Sequence, residues 1–396
     1  MFLDLKIKNI YVFFLSVIIV FPFNALYGIN VKVIALGLLV SSLFFVINVL
    51  EEILFKIFYF LFFILCCFLY SILNGETYLE WIYKQSFDII TSYIVFLLIS
   101  VYAFRRNCFE FFLEKISLLL SLAAVVKLLV MWVAIKKNML MSDFVEAYNL
   151  NYLTLDMQDS IIQRLTSQMD AVLPIVLLYL LLKGDDSGFL KKDYLIILLL
   201  IFSIIISMSR YIWLASFITI LIYILKARNV ARNILYIFVF IGLVVIFYFS
   251  QIFSTIFEIR GDQNTNTASD GVRIFQKTGI YNSISEQPFL GHGLGYYLPN
   301  IIRGDHAKYL YELQIPALVM QIGFIGFIIY MIFIVYPFIN ISNRISTFNK
   351  VLLFLLFIIW LGNAFVNPYL FSAPGGVALA SILLLANSKY FKLRGK

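Results

Sequence analysis

Uncharged apolar windows recur along almost the whole chain and limit the possible folds more than any other feature. Most approach the roughly 20 residues that a helix needs to cross a hydrocarbon core of about 30 Å. Twelve windows can be counted, at residues 9–29, 33–50, 57–74, 87–104, 116–135, 171–182, 194–209, 211–225, 233–257, 316–339, 351–366 and 369–387. The sequence therefore predicts an all-α polytopic integral membrane protein with about 12 transmembrane helices, forming one integral domain over residues 1–396.

The composition excludes an ordinary water-soluble protein. Hydrophobic residues make up 62% of the 396 residues and charged residues only 13%, too little polarity for a solvated surface. The cysteines, Cys66, Cys67 and Cys108, have no spacing that suggests metal ligands or a disulfide framework. We expect no metal and no cofactor.

The distribution of Lys and Arg predicts the orientation of the helices. The short loops on one side hold only Lys32, Lys84 and Arg210, whereas most other short-loop basic residues fall on the opposite side. Basic loops stay in the cytoplasm, so both termini are predicted to be cytoplasmic. The long loops 136–170 and 258–315 then face outward. The formal charge of +8 follows mainly from this topology and is no evidence for a nucleic-acid partner.

The loop 258–315 is the predicted working part of the chain. A connection of this length is usually functional or disordered, and its aromatic and spaced apolar residues argue against disorder. It includes a glycine-rich run, Pro288-Phe-Leu-Gly-His-Gly-Leu-Gly295. This run is not predicted to bind a dinucleotide, because it does not lie between a strand and a helix of a βαβ unit.

Three arginines are candidate ligands for a phosphate group. Arg210 stands between two apolar helices with almost no loop, so it either reaches the outer headgroups as a hairpin tip or binds a lipid phosphate. Arg273 and Arg303 lie in the long polar loop, where a single arginine is usually a solvated charge. Together the three could form a cluster, since the planar guanidinium suits bidentate capture of phosphate oxygens.

Two titratable side chains precede the tenth window. His306 and Glu312 lie within two helical turns of each other, and either could act as a general base toward a hydroxyl group. The alternatives are an exposed loop histidine and an interfacial helix cap, respectively.

Lys127 lies in the middle of an apolar window, where a charge is costly and normally faces a polar cavity or a partner. It is a candidate to line a groove for glycan or polyprenyl phosphate; the alternative is a misplaced span boundary with a snorkelling side chain. Arg164, in the outer loop, is a second candidate for such a cavity. The polar and aromatic mixture around it also describes an amphipathic surface helix, which is the interpretation favoured for that loop.

Several motifs together resemble one family. They are Ser-x-Ser-Arg at 207–210, Arg273 followed by the glycine-rich run, and Gly-x-x-Gly at 323–326. This pattern resembles the superfamily of O-antigen polymerases and O-antigen ligases, in detail over residues 210–330. The resemblance implies a GT-C-like glycosyltransferase fold, with Arg210 and Arg273 engaging a lipid diphosphate.

One position departs from the ligase pattern. In the ligases a catalytic histidine, followed by Asn, Ser or Gln, precedes the first glycine of Gly-x-x-Gly by eleven residues. That position here is Glu312, followed by Leu313, and His306 comes six residues too early. The departure favours a polymerase over a ligase and leaves the base open between Glu312 and His306.

The resemblance implies an enzyme that transfers a growing glycan from undecaprenyl diphosphate to a lipid-linked repeat unit, outside the bacterial inner membrane. Such an enzyme would serve O-antigen, capsule or exopolysaccharide synthesis without metal or nucleotide sugar. Its partners would be the undecaprenyl-diphosphate-linked oligosaccharide and membrane lipid, with room for a chain-length regulator and a flippase. The alternatives are a ligase acting on lipid A core, and a polysaccharide flippase or transporter, for which charged or broken helices near the midplane would be expected.

Overall fold

The computed structural model describes residues 2–23, 31–41, 47–155, 164–226, 263–302, 307–342, 346–365 and 371–392, and these residues are mostly helical. The predicted span 233–257, Arg303 and His306 lie outside the described residues. The longer helices are α1 Phe2–Val20, α2 Val31–Ser41, α3 Ile47–Asn74, α4 Leu79–Arg106, α5 Phe109–Lys136, α7 Leu173–Ser187, α8 Lys191–Ile206, α9 Arg210–Lys226, α10 Gln263–Glu286, α11 Gln314–Ser342, α12 Thr347–Asn363 and α13 Ala373–Asn387. Two short helices are α6 Met141–Ala147 and α14 Lys389–Lys392.

Four stretches in these helices are long and apolar enough to cross a membrane. They are Phe55–Asn74 in α3, all of α4, all of α5, and Gln314–Ile339 in α11. Shorter apolar helices are Ile7–Val20, Val31–Ser41, Thr347–Asn363 and Ala373–Asn387. The chain is thus a mainly helical membrane protein, as predicted. The number of spans and their orientation stay predictions.

Every predicted span except 233–257 overlaps a described helix, but some boundaries were wrong. The window 33–50 joins α2 to the first residues of α3, which begins at Ile47. Hydropathy alone could not separate two apolar helices with so little polar sequence between them. The loop 258–315 contains the 24-residue helix α10, which the sequence analysis treated as part of a loop.

The described residues form two compact units. Unit 1 comprises Met1–Ile47, Arg106–Asp262 and Leu384–Lys396. In it α5 packs against α1, α7 and α8, and α7 packs against α9. A small antiparallel sheet pairs β1, Leu153–Leu155, with β2, Arg164–Thr166, so that Leu153 lies opposite Thr166. A 3₁₀ helix, Gln168–Val172, leads from this sheet into α7.

Unit 2 comprises Asn48–Arg105 and Gln263–Leu383. Its core includes an aromatic cluster in which the fully buried Phe60 ring stacks on Tyr93 with centroids 3.8 Å apart and meets Phe333 edge-on at 5.3 Å. Helix α10 packs against α11. Helix α11 is broken at Gly323, whose φ of 67° and ψ of 176° are not helical. This break positions the candidate site of unit 2.

Candidate functional site

The glycine segment, defined here as Pro288–Gly295, supplies the hydrogen bonds that the break in α11 removes. The amides of His292 and Gly293 donate to the carbonyl oxygens of Met320 and Gln321, at 3.0 and 2.8 Å. In return, Phe324 donates to the carbonyl of Pro288 at 2.9 Å. Because an unpaired backbone group is costly inside an apolar protein, the segment and the broken helix need each other.

Two glycines make this close approach possible. A Cβ atom added to Gly291 would lie 2.5 Å from the amide nitrogen of Gly323, and one added to Gly323 would lie 2.1 Å from the carbonyl oxygen of Phe289. Both residues also have positive φ, at 71° and 67°, where glycine alone is unstrained. Glycine is therefore required at positions 291 and 323 for the segment to pack against α11.

Helix α3 and its end hold the other side of the glycine segment. The Tyr70 hydroxyl donates to the Gly291 carbonyl at 2.9 Å, and the Asn74 side-chain amide donates to the His292 carbonyl at 3.0 Å. The Leu294 amide donates to Oγ of Ser71 at 2.6 Å. A glycine loop that cradles phosphate must aim its amides at the ligand. Here the amides from 291 to 295 donate to protein oxygens, so the glycine segment has a structural role. It is called the brace below.

His292 is buried in the brace, and the sequence analysis did not select it as a site residue. Its Nδ1 lies 2.6 Å from Oε2 of Glu76, and its Nε2 lies 2.9 Å from the Ser283 carbonyl of α10. The imidazole is thus held from both sides, by a carboxyl group and a backbone carbonyl. The ring stacks on Tyr296 with centroids 4.3 Å apart. A histidine between two closely spaced glycines was the only sequence signal for this role.

Arg273 and Glu312 form an ion pair in unit 2. The Nε–H of Arg273 donates to Oε2 of Glu312 at 2.7 Å, and the two side chains are 36% and 20% exposed. Gln276, one turn further along α10, is buried and accepts a hydrogen bond from the Glu312 amide at 3.3 Å. Helix α10 thus fixes both the backbone and the carboxylate of Glu312, two residues before α11 begins.

The residues before Glu312 are also held firmly. The Tyr309 hydroxyl donates to Oδ2 of Asp88 at 2.6 Å, and the Leu298 amide donates to the Tyr311 hydroxyl at 2.7 Å. Burial raises the pKa of Tyr311 to about 12, and burial together with the nearby Asp88 charge also raises the pKa of Tyr309. Both phenols therefore stay neutral and serve as hydrogen-bonding supports.

The side chain of Lys308, which directly precedes Tyr309, lies near two aromatic rings. Its Nζ is 5.8 Å from the Trp81 ring centroid and 5.5 Å from that of Tyr297, within the range of a cation–π contact. This contact was not predicted from the sequence, because Trp81 is distant from the other two residues in the chain.

Lys127 is buried in unit 1 with a complete set of partners. Its Nζ lies 2.6 and 2.7 Å from the two carboxylate oxygens of Asp170 and 2.8 Å from Oγ of Ser203. The ammonium therefore faces a carboxylate partner and does not snorkel. Asp170 was missed by the sequence analysis, although its place three residues after Ser167 marks a helix capping box. Arg164 lies at the start of β2, where its Nε donates to Oγ1 of Thr166 at 3.2 Å.

The other predicted site residues are distributed as follows. Arg210 is exposed and begins α9 in unit 1, whereas Arg273 and Glu312 belong to unit 2. The predicted arginine cluster therefore joins residues of different units and stays a prediction. No group of three or more His, Cys, Asp or Glu side chains suited to a metal ion occurs in the described part of the chain.

These features define a helical membrane protein whose polar site is built around a broken apolar helix. Residues 195–331 match the model of a family described as O-antigen ligase. The match includes Arg210, Arg273, Glu312, the glycine segment and Gly323, and it confirms the predicted relationship to the O-antigen polymerase and O-antigen ligase superfamily. Members of this family are glycosyltransferase-like enzymes. No curated protein and no solved structure matched the chain.

Proposed function

We propose that the protein is a polysaccharide polymerase of the bacterial inner membrane. It would transfer a growing glycan from undecaprenyl diphosphate to a sugar hydroxyl of the next lipid-linked repeat unit, on the outward face. The family match supports a polymerase or a ligase broadly. We favour a polymerase over a ligase because position 312 is a glutamate, where the related ligases have histidine.

The ion pair of Arg273 with Glu312 is the observation that carries the proposal. The pair is only partly exposed, and its member Glu312 lies two residues before a helix long and apolar enough to span a membrane. A guanidinium held there can meet the diphosphate of a lipid whose tail lies in the bilayer. Fixed cations aimed at developing negative charge are usually the largest single contribution to catalysis of this kind.

The reaction requires one bond to form and one to break. The acceptor hydroxyl oxygen attacks the anomeric carbon of the donor, and the bond from that carbon to the diphosphate oxygen breaks. The diphosphate leaves with the electron pair and is stabilised by Arg273, with Arg210 and Arg303 as further ligands. The hydroxyl proton passes to Glu312 or His306. This route uses no metal ion and no nucleotide sugar.

A ligase that transfers finished polymer to lipid A core is the second candidate function, because the matching family is described as O-antigen ligase. Both enzymes would use the same donor and the same leaving group. They differ in the acceptor, which is a lipid-linked repeat unit for a polymerase and a lipid A core for a ligase.

The deciding experiment is reconstitution of the purified protein in lipid vesicles with lipid-linked repeat units. A polymerase yields a ladder of glycans of increasing length on a gel. Product that appears only when lipid A core is added would establish the ligase. Movement of the lipid-linked unit across the bilayer without new glycosidic bonds would reject both and indicate a transporter.

A further inference from the structure

We propose that the buried pair Lys127–Asp170 is a positioning device for Arg210. The inference rests on the proposed function, in which Arg210 binds the lipid diphosphate. It concerns the arginine turn, defined here as Ser207–Ser209, which joins α8 to α9 and presents Arg210. All of its contacts described below lie within unit 1.

The arginine turn contains an unfavourable backbone conformation that the surrounding residues must stabilise. Met208 has a φ of 45°, a left-handed value adopted by only a few per cent of residues other than glycine. Its side chain is fully buried in a cluster that includes Met131 of α5, Phe144 of α6 and Leu165 of β2. Such conformations persist only where the surrounding structure over-determines them, and they concentrate at functional sites.

Hydrogen bonds also fix the backbone conformation at the end of α8. The last carbonyls of a helix lack partners within it. Here the Ser207 carbonyl accepts from Oγ1 of Thr166 at 2.8 Å, and the Ile204 carbonyl accepts from Nε1 of Trp213 at 2.9 Å. The first bond ties the arginine turn to β2, and the second ties the first turn of α9 back to α8.

The Lys127–Asp170 pair anchors both sides of this arrangement. Lys127 donates to Ser203, one helical turn before Ser207, and thereby fixes α8 itself. Asp170 accepts from the amide and the hydroxyl of Ser167, at 3.0 and 2.9 Å. Ser167 directly follows Thr166, so the pair fixes the residue that holds the Ser207 carbonyl. One buried ion pair therefore connects α5, α8 and β2 to the arginine turn.

The position of Arg210 in the fold explains why the conformation of the arginine turn must be fixed. Arg210 is the first residue of α9, a helix of 17 residues, and a cation there opposes the positive end of the helix dipole. An anion bound near the helix N-terminus and the guanidinium would be favoured by both positive charges. A rigid turn fixes the helix start from which the Arg210 side chain extends.

The test measures binding of undecaprenyl diphosphate to the full-length protein in detergent micelles, together with the thermal unfolding midpoint. The variants are Arg210→Ala, Thr166→Val and Ser203→Ala. Ser121→Ala is the matched control, because Ser121 is also buried on a unit 1 helix, and its hydrogen bond among the described residues goes to Leu118 of its own helix, at 2.7 Å. We expect at least tenfold weaker binding for Arg210→Ala and about fivefold weaker binding for Thr166→Val and Ser203→Ala, the effect of one typical hydrogen bond. Ser121→Ala should bind like the parent.

Combining Thr166→Val with Arg210→Ala separates positioning from general destabilisation. If Thr166 acts through Arg210, the double variant binds no more weakly than Arg210→Ala alone. If the double variant instead binds a further fivefold more weakly than Arg210→Ala, the inference is overturned. It is also overturned if Thr166→Val and Ser203→Ala unfold at lower temperature but bind undecaprenyl diphosphate normally. Normal binding by Arg210→Ala would instead remove Arg210 from the proposed function, and the inference with it.

Discussion

The two units each contain an ion pair that joins distant parts of the chain, and the two pairs differ in exposure. The side chains of Lys127 and Asp170 are 1% and 2% exposed, whereas those of Arg273 and Glu312 are 36% and 20% exposed. A lysine ammonium has three N–H groups, and Lys127 lies within hydrogen-bonding distance of three buried oxygens, two of Asp170 and one of Ser203. The buried pair therefore organises the surrounding fold, while the partly exposed pair can also meet a ligand.

Burial also sets the energy of each pair. Removing one member of a buried pair leaves an uncompensated charge and costs about 3–5 kcal/mol. An exposed pair contributes only about 0–1 kcal/mol to stability. If this comparison holds, variants of the first pair should change stability together with the binding that depends on Arg210, whereas variants of the second should change activity with little effect on stability.

Lys127→Met should have the largest effect on stability. It leaves the Asp170 carboxylate buried without its cation, so we expect a loss of about 3–5 kcal/mol in the free energy of unfolding. Denaturant titration of the purified protein in detergent measures this loss. Lys136→Met, at the exposed end of the same helix, is the control and should change stability by less than about 0.5 kcal/mol. Restored stability on adding Asp170→Asn would support the charge as the cause; equal losses for both lysines would refute it.

Arg273→Ala should have the largest effect on activity. Loss of a group that stabilises transition-state charge lowers the turnover rate by about 10²–10³-fold, equivalent to about 2.7–4 kcal/mol. Arg273→Lys should recover little of this loss, because lysine lacks the planar fork that binds two oxygens. The rate of ladder formation is the measurement, and Lys277→Ala, an exposed cation one turn along the same helix, is the control. Full activity of Arg273→Ala would remove the residue from the mechanism.

The same contrast separates what the sequence could predict from what it could not. Apolar windows predicted a helical membrane protein, since a membrane span needs little more than length and hydrophobicity. A single charge in the middle of a span, such as Lys127, could be recognised from the sequence as a position that normally faces a polar cavity or a partner. Asp170 was not identified as that partner, because nothing in a single sequence reports that residues 43 positions apart touch.

The role of the glycine-rich run could not be predicted for a similar reason. Position 291 requires glycine because it packs on the break in α11, and that break at Gly323 is stabilised by the glycine segment in turn. In the sequence, the glycine segment and the break in α11 are each marked only by their glycines. His292 was missed as well, since its partners Glu76 and Ser283 come from two other parts of the chain.

Gly291→Ala tests whether the brace supports the partly exposed pair. Its Cβ would lie 2.5 Å from the backbone nitrogen of Gly323, so either α11 or the glycine segment must move. We expect a stability loss of about 1–3 kcal/mol, as for overpacked cores, together with slower ladder formation. Gly271→Ala is the control, because a Cβ there meets nothing within 4 Å and alanine suits a helix better than glycine. Equal behaviour of the two alanine variants would contradict a requirement for glycine in the brace.

Glu312→Gln should have the smallest effect on stability, and it sharpens the assignment of the base. The glutamine oxygen can still accept from Arg273, and the pair is partly exposed, so we expect a change below about 1 kcal/mol. If Glu312 only orients Arg273, ladder formation should slow by about tenfold, and His306→Gln should slow it by the 10²–10⁴-fold typical of a lost general base. We expect this pattern, because the Glu312 carboxylate already accepts a hydrogen bond from Arg273. The reverse ranking of the two variants, measured at one pH with unfolding midpoints recorded alongside, would assign the proton transfer to Glu312 and leave His306 outside the mechanism.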